Sequence, residues 1–354
     1  MAYILPILIP ASWVLSSPRR DEGAYGQYAT DEQRSQAGCT AGRLQLGFHR
    51  GLLSCVSMST SHTIRKVVFP AAGLGTRILP ATAVLPKELL PILDKPIIQY
   101  GVEEALASGL NEVILVTSPG TTMLADHFDR HPELEGILER RGTSALLDGL
   151  REVSKRMELS TVFQDEPRGL GHAVLVSREL VDDEPFAVVL SDDVIDADPP
   201  ALRQMLAVFD DVQGPVILVE RVPHDAVHRY GVIDPESLGG GVYRVNDLVE
   251  KPSSENAPSN LAIIGRYLLT PDIYPALAET GKDSGGEIQL TDGLRRLLQT
   301  RPIHAVVLDG VRQDAGNKLG YLRAILYFAR KHPELADHVP ALLQSLELED
   351  GEPP

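Results

Sequence analysis

Cysteine is almost missing from this chain of 354 residues: there are two, Cys39 and Cys55, and both fall within the first 62 positions. The remainder can form neither a disulfide nor a thiolate metal site, which suits a reducing cytoplasm. Basic residues are scarce beside acidic ones, 33 against 49, for a net charge of −16. Such a surface argues against nucleic acid and against an anionic membrane as partners. Apolar runs long enough to span a bilayer are missing too. Residues 3–15 are apolar, but no positive charge precedes them and Pro6 and Pro10 interrupt any helix, so they make a poor signal peptide. His127, His131 and His172 lack the spacing of a metal site, and no Ser/His/Asp order points to a covalent nucleophile.

What is present is an ordinary globular composition, 43% hydrophobic and 23% charged. Residues 18–57 carry no sustained periodicity, and the first strand pattern begins near Thr63, just after Met58. Residues 1–62 are therefore expected to be a disordered extension, or the product of an overextended gene start with translation beginning at Met58. Residues 63–346 are expected to form the working domain, and residues 347–354 a polar tail. Within the domain, Ile64–Phe69, Glu112–Thr117, Phe186–Leu190 and Val216–Glu220 are short and apolar on both faces, as buried parallel strands are. Between them Ile97–Ser108, Met123–Phe128 and Ala201–Phe209 show helical spacing. The alternation predicts an α/β fold with a doubly wound, mostly parallel sheet and ligands at the carboxyl ends of its strands. Residues 131–156 read as a charged helical insertion, and Gly239-Gly240-Gly241 as a hairpin tip.

The most informative stretch runs from Phe69 to Pro91, F-P-A-A-G-L-G-T-R-I-L-P-A-T-A-V-L-P-K-E-L-L-P. A β-branched run stops at a loop where Gly73 and Gly75 let backbone N–H groups approach phosphate oxygens. Arg77 and Lys87 can supply the positive charge that a departing pyrophosphate needs. The dinucleotide spacing G-x-G-x-x-G fails at Ile78, and no G-K-[ST] follows to make a Walker loop. Further on, Gln164 to Ala173 reads Q-D-E-P-R-G-L-G-H-A. Gln164 offers an amide to a pyrimidine edge, and Gly169 a backbone that can come close. The run F-A-V-V-L-S-D-D delivers Asp192 and Asp193 to a strand end, where hard carboxylate oxygens suit Mg²⁺. Asp193 taken alone could equally be a helix cap or a solvated loop charge.

Together these motifs resemble the sugar-nucleotide pyrophosphorylases, in the signature G-x-G-T-R-x-x-P-x-T…P-K and in its bacterial uridylyl-transferring form. The resemblance extends to Y-G-V-I at Tyr230–Ile233, V-E-K-P at Val249–Pro252, E-I-Q-L-T-D at Glu287–Asp292 and D-x-G-x-K-L-G-Y at Asp314–Tyr321. It implies a Rossmann-like nucleotidyltransferase fold with a smaller antiparallel sugar-binding sheet. The implied reaction takes UTP and glucose 1-phosphate to UDP-glucose and pyrophosphate, with Mg²⁺ and in a homodimer or homotetramer. Ala72, Gly73, Gly75, Thr76, Gln164 and Gly169 would then bind the nucleotide. Arg77, Lys87, Asp192 and Lys251 would carry the chemistry. Gly231, Glu250 and Lys251 would hold the sugar phosphate, with Glu287 as pocket wall or sugar contact, and Asp192 with Asp314 the metal. Asp314 could instead cap a helix, with Asp292 and Asp309 as weaker rivals for the metal. Two positions depart from the family: Phe163 stands where arginine is usual, and Ala83 where lysine often is. A sister enzyme using dTTP or another sugar, or a noncatalytic sugar-nucleotide sensor, remains an alternative.

Overall fold

The computed structural model describes residues 64–349. The expectations for residues 1–62, the two cysteines and the last five residues lie outside them. Thirteen strands are present among the described residues: β1 (Lys66–Pro70), β2 (Pro91–Ile92), β3 (Lys95–Pro96), β4 (Glu112–Thr117), β5 (Glu158–Phe163), β6 (Phe186–Val189), β7 (Asp193–Asp196), β8 (Val216–Arg221), β9 (Gly231–Gly239), β10 (Val242–Glu250), β11 (Leu261–Leu269), β12 (His304–Val307) and β13 (Val311–Asp314). Nine of them form one sheet in the order β5-β4-β1-β6-β11-β8-β12-β10-β9. β5, β4, β1 and β6 run parallel to one another, while β11 runs antiparallel to both of its neighbours.

Side-chain alternation decides which layer each residue of a strand enters. Val67 and Phe69 pack beneath the helices Ile97–Ala107 and Ala201–Val212, while Val68 joins the opposite core with residues of Leu170–Val176, Ile273–Ala278 and Leu290–Leu297. Full burial of each such side chain contributes about 1.5–3 kcal/mol. Close approach of helix to sheet relies on Gly101, where an added Cβ would lie 2.9 Å from Phe69 Cε1. Ala201–Val212 starts directly after Pro199 and Pro200 and stops at Gln213, which takes a left-handed conformation with φ of 48°.

The doubly wound α/β class is as expected, but the antiparallel strands are continuous with the parallel ones. β9 and β10 extend the far edge of the large sheet, and a bridge from Val232 to Ala262 brings β9 back against β11, so this half curls on itself. The hairpin tip falls where the glycines predict it, with φ of 92°, 59° and 79° at Gly239, Gly240 and Gly241. The charged stretch before β5 is helical at Pro132–Arg141 and Asp148–Arg156. A two-stranded ribbon that periodicity does not reveal pairs β7 with β13, setting Asp193 opposite Asp314. No helix among the described residues is long and apolar enough to cross a membrane.

Candidate active site

Two cavities open at the carboxyl ends of β1 and β6. One, of about 480 Å³, is lined by the loop from Ala72 to Ile78 together with Lys87, Glu88, Gln164, Gly169 and Asp192. The other, of about 600 Å³, is lined by Gly231, Glu250, Lys251, Arg229, Arg312 and Asp314. Arg77 and Asp192 belong to both walls. Of the residues expected from sequence to bind substrate, Ala72, Gly73, Gly75, Thr76, Gln164 and Gly169 line the first cavity and Gly231, Glu250 and Lys251 the second, while Glu287 lines the first.

In the loop, Gly75 takes φ of 60° and opens the short turn Thr76–Ile78. Thr82 Oγ1 donates to the Gly75 carbonyl at 2.7 Å, tying the loop to the next turn. The threonine of the signature therefore braces the backbone, a task its sequence context alone does not reveal. Ala83 is exposed in that second turn.

Lys87 Nζ donates to Asp192 Oδ2 at 2.8 Å. Burial alone would pull the ammonium down, but Asp192 and Glu88 hold it above its ordinary value. Burial likewise works to push Asp192 up, and Lys87 nevertheless keeps its carboxyl below the usual range. Glu88 is the residue that sequence reasoning passes over. It is 1% exposed, neither carboxyl oxygen has a hydrogen-bond partner, and the Lys87 ammonium stands 3.8 Å away, beyond bonding distance. Burial pushes it to about 7.

Asp192 and Asp314, the two carboxylates expected to hold a metal, meet at Gly316. A Cβ placed there would stand 2.8 Å from Asp192 Oδ2 and 3.1 Å from Asp314 Oδ1, so the two carboxylates face one small space that only a glycine leaves open. Asp314 accepts from the Gly316 N–H at 3.0 Å, and the helix that follows is capped by Asn317 instead, whose side chain accepts from the Gly320 N–H. Among the described residues no cluster of three or more His, Cys, Asp or Glu side chains is arranged to hold a metal. Two carboxylates facing a phosphate-sized cavity nonetheless fit Mg²⁺, which takes its remaining ligands from water and substrate. Asp193 is neither a helix cap nor a solvated charge. It receives Arg312 Nη1 at 2.5 Å and the Gly265 N–H at 2.9 Å, and burial pushes it up despite that arginine.

Beneath this turn, Arg266 is 1% exposed. It pairs with Glu104 at 2.8 Å and donates to the carbonyls of Leu190 and Asp193 on either side of Asp192, at 3.0 and 2.9 Å. Its signal in the sequence is a lone charge within the otherwise apolar run L-A-I-I-G-R-Y-L-L.

In the first cavity, Gln164 is buried and its amide nitrogen reaches the Gly169 carbonyl at 3.2 Å and His172 Nδ1 at 2.9 Å. Gly169, with φ of 93°, packs so tightly that a Cβ would come within 2.8 Å of Glu287 Cβ and of the Ile288 carbonyl. Glu287 thus lines the first cavity, and it does not line the second. In the second cavity, a Cβ at Gly231 would stand 2.9 Å from Thr291 Oγ1 and 3.1 Å from Glu250 Oε2. Lys251 pairs with Glu250 at 3.1 Å, on a backbone held at φ of 45°.

A family model described as nucleotidyl transferase matches residues 66–331. A UTP–glucose-1-phosphate uridylyltransferase of Bacillus subtilis is 45% identical over 283 residues, covering 80% of this chain and 97% of the relative. One from Staphylococcus saprophyticus is 45% identical over 285 residues, covering 80% and 99%. Among solved structures, a UDP-glucose pyrophosphorylase complexed with UDP-glucose superposes with a TM-score of 0.70 at 43% identity, over 76% of this chain and 100% of that one. The UTP-bound enzyme of Acinetobacter baumannii gives 0.75 at 37% identity, over 80% and 99%.

Proposed function

The chain belongs to the nucleotidyl transferase family, and from that premise we propose that it makes UDP-glucose and pyrophosphate from UTP and α-D-glucose 1-phosphate. The observation that carries the reading is the shared wall: the cavity lined by the Ala72–Ile78 loop and Gln164 and the cavity lined by Gly231, Glu250 and Lys251 meet at Arg77 and Asp192. A phosphate oxygen of the sugar phosphate attacks the α-phosphorus of UTP, the bond from that phosphorus to the bridging oxygen breaks, and pyrophosphate leaves with the electron pair. The nucleophile is already an anion, so no general base is required. Positioning and neutralisation of charge supply the rate.

Each group has one task in this scheme. Gln164 and Gly169 seat the uracil, while the backbone of Ala72, Gly73, Gly75 and Thr76 wraps the phosphates. Arg77 holds the departing β- and γ-phosphates. Lys87 turns from Asp192 to the α-phosphate, a short move for a flexible side chain. Lys251 neutralises the attacking phosphate, Glu250 accepts from sugar hydroxyls, and Gly231 lets the hexose lie against the backbone. Asp192 and Asp314 would hold Mg²⁺, which neutralises phosphate charge when bound. The cytoplasm, where both substrates are made, is the proposed place of action.

Pyrophosphate release from the purified chain with glucose 1-phosphate and Mg²⁺ tests this, comparing UTP with dTTP, CTP, ATP and GTP. Release with UTP is expected. Release with dTTP alone would transfer the chain to the sister activity, and no release from a folded sample would leave the sensor.

A further inference from the structure

Arg229 closes the turn His224–Arg229, directly ahead of Tyr230 and Gly231. Its Nη2 donates to Asp314 Oδ2 at 2.8 Å, its guanidinium lies 5.5 Å from the centre of the Tyr230 ring, and it lines the same cavity as Lys251. Each carboxylate of the proposed metal pair therefore carries one cation, Lys87 on Asp192 and Arg229 on Asp314. The two cations are held differently. Lys87 is wedged between Asp192 and Glu88, whereas the Arg229 side chain is 48% exposed and faces open cavity. Exposed pairs of that kind are weak, and a divalent cation between the two aspartates removes most of the negative potential that retains the arginine. A freed guanidinium presents a planar fork suited to a phosphate's oxygens. The anion due in this cavity, on the uridylyltransferase reading, is the sugar phosphate.

We propose that Arg229 is a second phosphate-binding cation of the sugar cavity, parked on Asp314 until a divalent cation takes that carboxylate. Metal and sugar phosphate are thereby coupled: the metal releases the arginine that grips the phosphate, and the phosphate draws off the arginine that competes with the metal. Such coupling is reciprocal by necessity. The proposal rests on the functional reading only for the identity of the phosphate.

The test uses the full chain with Arg229→Gln and Arg229→Lys, and two readouts. Mn²⁺ binding to the protein without nucleotide or sugar is followed by electron paramagnetic resonance. The KM for glucose 1-phosphate is measured at saturating UTP. For Arg229→Gln, removal of the competing cation is expected to tighten Mn²⁺ by about 2- to 5-fold, the span of an exposed ion pair. Its KM for glucose 1-phosphate is expected to rise by roughly 10- to 100-fold, the span of a hydrogen bond to a charged group. Arg229→Lys is expected to recover part of the KM. These changes have opposite signs, which a loosened loop cannot produce. Weaker or unchanged Mn²⁺ binding, or an unchanged KM, overturns the proposal. A wild-type chain that forms no nucleotide sugar would remove the substrate reading alone, and the Mn²⁺ measurement would still decide whether Arg229 is parked.

Discussion

Replacing Glu88 by Gln should change the pH dependence of stability by an amount the site itself sets. In the folded chain the Glu88 carboxyl is sealed from water without a hydrogen-bond partner, and it titrates at about 7 where a free side chain titrates at 4.5. A carboxyl raised in this way stabilises the fold relative to its ionised form below the unfolded value. That contribution disappears as pH rises through the folded one. The interval corresponds to about 3 kcal/mol, lost between roughly pH 4.5 and 8. Glutamine cannot ionise, so the variant escapes the loss. Its buried amide has a cost of its own, but that cost is the same at both pH values and cancels in the difference. Urea denaturation of wild type and Glu88→Gln, in chelator and without substrates, should therefore show the variant gaining about 3 kcal/mol on the wild type from pH 4.5 to pH 8. Parallel stability profiles would falsify the assignment, because they would mean that Glu88 is hydrated or paired as a carboxylate in solution.

Two further substitutions probe the charge centre. Lys87→Ala should lower kcat by two or more orders of magnitude while changing the KM for glucose 1-phosphate only a few-fold, because its charge meets the α-phosphate during transfer. Equal losses in both, measured by initial rates, would contradict that role. Gly316→Ala would push a methyl group to within 2.8 Å of Asp192 Oδ2. Mn²⁺ affinity should fall by about 10-fold or more with little change in melting temperature, as checked by paramagnetic titration and calorimetry.

The sequence was most legible where chemistry is local. The loop from Ala72 to Arg77, the Gln164–Gly169 turn and the Glu250-Lys251 pair each carry their groups within a few residues at the end of a strand, and for the first of them the apolar run of β1 announces that strand. It was least legible where charges meet across the fold. Glu88 sits in K-E-L-L, which reads as an exposed acid beside a lysine, and only the packing of the 3-10 turn Lys87–Leu89 buries it. Asp193 looks like a spare neighbour of Asp192 until β13 brings Arg312 against it. Arg229 ends a turn and Asp314 ends β13, far apart in the chain. The continuity of β9 and β10 with the large sheet was hidden for a similar reason, since pairing partners leave no mark on the alternation of a single strand. Thr82 shows an intermediate case: the motif marked it, but the hydrogen bond to Gly75 explains why.

The ribbon of β7 with β13 also fixes when, during synthesis, this centre can exist. Arg312 and Asp193 are 119 residues apart, and Asp314 emerges from the ribosome later still. A nascent chain displays Asp192 and Asp193 as soon as β6 forms, with neither their arginine nor the second carboxylate available. β12, which lies between β8 and β10 in the sheet, is equally late. Half of the sheet and the charge centre are thus completed by the same last stretch of polypeptide, so an unfinished chain carries Lys87 and Asp192 without the second carboxylate that faces them.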